Sequence, residues 1–140
     1  MVDKNLLAAK LAELADRIDR VRTHVPANAA TLEADRDALD LVAFNLMLCV
    51  QTCVDIASHV VADEGWPAAR SLAEGFTRLE ENHVLSPKTA EALRGAVGLR
   101  NVVAHGYAGI EPARCFLAAT DGLGDLDAFA REISVWATTS

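Results

Sequence analysis

From Leu39 to Val60 the chain places apolar residues at strictly alternating steps of three and four: Leu39, Val42, Leu46, Cys49, Cys53, Ile56 and Val60. An α-helix turns by about 100° per residue, so this spacing draws one continuous stripe along one helix. A second stripe, Ala43, Val50, Val54, Ala57 and Val61, runs beside it. Together they form a face wider than a single neighbouring helix covers. Such a helix sits at the centre of a bundle, or packs part of its face against another copy of the chain, and both can hold.

The remaining sequence is consistent with that frame. Apolar positions recur at helical spacing nearly throughout, with no strand alternation and no internal repeat. The first helix is expected from about Asp3 to His24, with Leu7, Leu11, Leu14, Ile18 and Val21 as its stripe, stopped by Pro26. Thr31 is the expected N-cap of the long second helix, with Glu33 and Asp35 in its first turn and an end near Asp63, before Gly65. Pro67 is placed at the first position of a third helix running through Leu72, Phe76 and Leu79 to about Asn82. Ser86-Pro87 is an N-cap and N1 pair that opens a fourth helix through Leu93, Val97 and Leu99. A fifth is expected from Glu111, and the glycine pair Gly122 and Gly124 is expected to break it before a last run from Leu126 to Trp136. The expected fold is all-α: an up-and-down bundle of five or six helices, as one domain over residues 1–140.

Composition narrows the setting. The chain is 51% hydrophobic and 24% charged, which excludes a disordered or fibrous protein. A formal charge of −7 provides no global basic field, so an anionic ligand would need a local cluster of positive groups. The three cysteines, Cys49, Cys53 and Cys115, have no metal-ligand spacing and read as buried small hydrophobes in a reducing compartment. The N-terminal segment alternates charge with apolar residues, unlike a signal peptide, and no run of about 18 consecutive apolar residues suggests a membrane span. The expectation is a cytoplasmic protein with no membrane association.

One stretch concentrates chemistry. RNVVAHGY, Arg100 to Tyr107, closes the fourth helix. Asn101 and His105 are i,i+4 neighbours, about 40° apart on the helix, so the amide can hydrogen-bond the imidazole and orient it. Arg100 lies about 140° from His105, so the two point apart on a regular helix, and a second copy related by a twofold axis near this helix end could bring them to one ligand. Gly106 suits a left-handed C′ position that ends the helix. Arg offers a planar fork of donors for phosphate oxygens, and His transfers protons near neutrality. The motif holds no Cys, Asp or Glu, which favours metal-free chemistry and requires no cofactor. RNA matches this equipment because its 2′-hydroxyl is a nucleophile already beside the phosphorus; DNA, lacking it, is not an expected substrate.

Arg100-Asn101-x3-His105-x-Tyr107 resembles the Arg-x4-His-x-Tyr motif of HEPN-domain ribonucleases, specifically the HepT-type toxins of toxin–antitoxin pairs. The run LRGAVGLRNVVAHGY is similar to that family's motif helix, and Gln51 to Val61, with Asp55, to its long preceding helix. The resemblance implies an all-α dimer that cleaves RNA without metal, with Arg100 and His105 at a cleft between subunits. It further implies a partner, the MntA-type minimal nucleotidyltransferase antitoxin, which transfers AMP to the motif tyrosine, here Tyr107. The alternative is a non-catalytic helical binding module that docks a nucleotidyltransferase or a nucleotide. Asp55 either supports the cleft or forms a buried structural pair with His59, its i,i+4 neighbour. His24 and His83 read as solvated, and Trp66 and Trp136 as anchors of the bundle.

Overall fold

Side chains at the helix starts decide where most of the elements begin. The computed structural model of the chain describes residues 1–106 and 109–139, which form seven helices and no strand. Asp3 caps α1 (Lys4–His24), its carboxylate accepting from the N–H groups of Asn5 and Leu6. The helix gives way at Val25, ahead of Pro26, as expected.

The expected second helix divides in two. Asn28, not Thr31, caps the short α2 (Ala29–Ala34), accepting from the Thr31 N–H at 2.8 Å. Asp35 then interrupts the chain with an extended backbone and caps α3 (Arg36–Asp63), accepting from the Ala38 N–H at 3.1 Å. Asn28 and Asp35 both have short polar side chains that outcompete helix continuation for nearby N–H groups, so Asp35 serves as a cap and not as a first-turn acid.

Both stripes of α3 are buried from end to end within one copy of the chain. Around it pack α1, α2, α4 (Leu72–Glu81), α5 (Pro87–His105) and α6 (Pro112–Ala119). The wide face therefore marks a central helix and is not spare surface for a second copy. By length and composition α3 is apolar enough to cross a membrane, but 61% of its most apolar window is buried inside the bundle, so packing accounts for its character.

Gly65 closes α3 with φ 72: the Trp66 N–H bonds the Val61 carbonyl and the Gly65 N–H that of Ala62, the Schellman arrangement. Trp66 meets Trp136 at 6.2 Å between ring centroids, joining this end to α7 (Asp121–Thr139) and giving both tryptophans the anchoring role expected of them. Pro67 does not restart a helix. Ser71 caps α4 through the Glu74 N–H, while the Pro67 carbonyl accepts from Arg78 Nε. The expected glycine break is also displaced. Gly122 and Gly124 lie inside α7, and the chain bends at Thr120, whose hydroxyl donates to the Phe116 carbonyl at 2.8 Å. Glycine costs least in a first turn, where the early N–H groups lack intrahelical partners anyway.

Ser86 and Pro87 start α5 as expected, and Glu132 of α7 reinforces the cap, accepting from the Ser86 N–H at 2.6 Å and the Thr89 hydroxyl at 2.5 Å. Replacing Glu132 by Ala removes both acceptors; urea unfolding is expected to show a loss of about 1–2 kcal/mol. The three cysteines are free and buried. Burial pushes the Cys49 thiol up to about 12 and that of Cys115 to about 11, and Cys53 is raised as well, by burial and by Cys49 beside it. An unfolded thiol titrates near about 8.5, so the stabilisation from keeping these thiols neutral is full below that pH and falls as pH rises toward the folded values. Iodoacetamide at pH 8 is expected to label none of the three in the native protein and all of them in denaturant; native labelling would contradict the packing described.

Candidate active site at the end of the motif helix

The motif emerges from the core by degrees. Leu93 and Val97 of α5 are buried; Leu99, Arg100, Val102 and Val103 are half-buried; Asn101, Ala104 and His105 are exposed. The Gly106 N–H continues the helical ladder to the Val102 carbonyl at 2.8 Å, and its φ of −149 is not the left-handed value expected of it. That bond keeps the last turn α-helical through His105, and so holds the divergence of Arg100 and His105 that the wheel requires.

Arg100 is held at two points. Its Nε donates to Gln51 Oε1 at 3.0 Å, and its Nη1 to Asn101 Oδ1 at 3.0 Å. Gln51 in turn donates from Nε2 to Asp55 Oδ1 at 3.0 Å, and the other Asp55 oxygen faces Lys10 Nζ at 3.7 Å. Lys10 also pairs with Glu13 at 3.5 Å. A chain of polar contacts thus runs from α5 across α3 to α1. It is possible because α1 lies antiparallel to α3, as the Asp3 N–H to Asp63 and Arg17 to Asn45 bonds also record.

These contacts revise two expectations. The Asn101 oxygen serves Arg100, a charged donor on the adjacent residue, and not the imidazole. Asp55 is engaged by Gln51 and Lys10 while His59 is exposed, so the pair expected between Asp55 and His59 is replaced by a contact with Gln51 on the same helix and one with Lys10 on α1. Among the described residues the His105 side chain makes no hydrogen bond or ion pair, and His24 and His83 are exposed, as expected. Tyr107, the expected AMP acceptor, lies outside the described residues. Gln51 and Lys10 were missed by sequence reasoning. Gln51 carried a signal, being i,i+4 to Asp55 in an otherwise apolar helix; Lys10 needed the pairing of α1 with α3.

Chemically, Arg100 retains N–H donors on Nη1 and Nη2 beyond the two already engaged. Neither Arg100, Asn101 nor His105 lines the apolar recess that Leu46, Val50, Leu93, Leu99 and Leu126 form between α3, α5 and α7. The motif side chains stand at an open helix end. Among the described residues no three of His, Cys, Asp and Glu gather as a metal-ligand set.

With that geometry in hand, likeness to known proteins carries further. The chain is 28% identical to the mRNA nuclease HepT of Shewanella oneidensis, over 74% of this chain and 77% of that protein. It is also 28% identical to the tRNA nuclease HepT of Aphanizomenon flos-aquae, over 67% of this chain and 64% of that protein. Among solved structures it is similar to a tri-AMPylated Shewanella oneidensis HEPN toxin in complex with MNT antitoxin. That likeness has a TM-score of 0.85 at 26% identity and covers 92% of this chain and 96% of the other. The all-α fold and the resemblance carried by the motif are both borne out. A family model described as ribonuclease HepT-like matches residues 14–133, and the chain belongs to that family.

Proposed function

We propose that this protein is the endoribonuclease toxin of a toxin–antitoxin pair, acting in the cytoplasm as a homodimer whose two motif-helix ends form one cleft. The observation that carries this reading is the state of the motif side chains: a guanidinium steadied by neutral acceptors, and a solvent-facing imidazole further along the same helix. The nuclease names of the relatives support it. Because Arg100 and His105 diverge on one helix, a second copy supplies the missing half of the site.

Arg100 binds the scissile phosphate through its remaining N–H groups and stabilises the charge that develops on the phosphorane. One His105 accepts the proton of the 2′-hydroxyl as its oxygen attacks phosphorus. The bond to the next nucleotide's O5′ breaks, and that oxygen takes the proton from the same, now protonated, imidazole. The products are a 2′,3′-cyclic phosphate and a 5′-hydroxyl end, with no metal required. The acidic surface is overcome at short range by paired Arg100 side chains in the cleft. Asn101 holds Arg100 in this scheme, and Asp55 supports it through Gln51.

Regulation follows the partner of the similar toxin, an MNT antitoxin. A nucleotidyltransferase of that class adds AMP to Tyr107, placing bulk and negative charge where the substrate phosphate binds. Intact-mass measurement after incubation with ATP and such a partner is expected to show AMP addition that Tyr107→Phe abolishes; an unchanged wild-type mass would contradict the acceptor role.

Arg100→Ala and His105→Ala are each expected to lower cleavage by at least about 10²-fold in the presence of EDTA, with the dimer intact. Undiminished cleavage by either variant would reject its assignment. An all-deoxy substrate is expected to remain uncut, since it lacks the internal nucleophile.

A further inference from the structure

We propose that Gln51 is the positioning residue of this site, a neutral spacer that aims the Arg100 guanidinium without neutralising it; this rests on Arg100 being the phosphate-binding group. Arginine is long and flexible, and an unrestrained side chain at a half-exposed helix end samples many rotamers. Gln51 removes that freedom by accepting from Nε at 3.0 Å, the donor nearest the backbone. With Nε occupied and Asn101 on Nη1, the donors left over are those at the far end of the fork.

The orientation of the Gln51 amide follows from its neighbours. Arg100 can only donate, so the amide oxygen faces it; the Asp55 carboxylate can only accept, so the amide nitrogen faces that. Asp55 therefore fixes Gln51, and Lys10 at 3.7 Å offsets the Asp55 charge. The amide matters because of what a carboxylate would do in its place. An acid at position 51 would hold the guanidinium equally well and cancel much of the charge a phosphate needs. The sequence instead sets its carboxylate one hydrogen bond further from the guanidinium, at Asp55, and passes on geometry alone.

Two variants separate aiming from charge. Gln51→Met keeps the volume and loses both hydrogen bonds; its kcat is expected to fall by about 10–100-fold, with unfolding midpoint and dimer unchanged. Gln51→Glu keeps an acceptor for Nε and adds charge. Its KM for RNA is expected to rise and its affinity to depend less steeply on salt, because one phosphate-binding cation is neutralised. A Met variant with wild-type kcat, or one that loses folding and activity together, overturns the proposal. So does a Glu variant with wild-type KM and salt dependence. Arg100→Ala is run alongside. If it cleaves as well as wild type, or if the wild type cuts no RNA, the underlying function falls and this inference with it. If Arg100→Ala is inactive while Gln51→Met is fully active, this inference alone fails.

Discussion

The burial of both apolar stripes of α3 governs the rest of the molecule. A fully buried Val, Leu or Ile side chain contributes roughly 1.5–3 kcal/mol, and α3 buries eight of them, so its rotation about its own axis is fixed. Turning it by one residue, about 100°, would drive Gln51 and Asp55 toward the core and bring apolar residues out to water. The core thus sets which way the polar edge of α3 faces. Arg100 finds Gln51 because α5 packs on that same helix.

Charge is handled locally in a chain whose net charge is −7. The contacts reaching Arg100 directly come from two amide oxygens, and the nearest carboxylate in the chain of contacts is separated from it by a side-chain amide. Were the guanidinium paired with an acid, it would be stable and inert. Held by neutral groups, it carries a charge left uncompensated within the chain of contacts. The thiols illustrate the reverse case: Cys49, Cys53 and Cys115 are kept neutral by burial and serve as packing.

Much of this was legible before any coordinates. The three–four stripe of α3, the Ser86-Pro87 start of α5 and the stop before Pro26 are local signals whose physics needs no neighbours. What escaped depended on competition or on tertiary register. Asn28 and Asp35 captured N–H groups that an unbroken helix would have used, and sequence reasoning weighed Thr31 alone. Gly122 and Gly124 stayed helical because they fall in a first turn, with Thr120 ending α6. In the site, Arg100 and His105 stood out by residue type and spacing. The partners of Arg100 did not, since Gln51 lies on another helix and the Lys10–Asp55 contact exists only once α1 and α3 run antiparallel.

The central claim is that one guanidinium and one imidazole from different copies of the chain act on a single phosphodiester. Subunit exchange between Arg100→Ala and His105→Ala proteins tests it directly, with mixed dimers isolated by two affinity tags. Each variant alone is expected to be inactive, while the mixed dimer, carrying one Arg100 and one His105 across the interface, is expected to recover RNA cleavage. A mixed dimer as inactive as its parents would contradict the shared cleft.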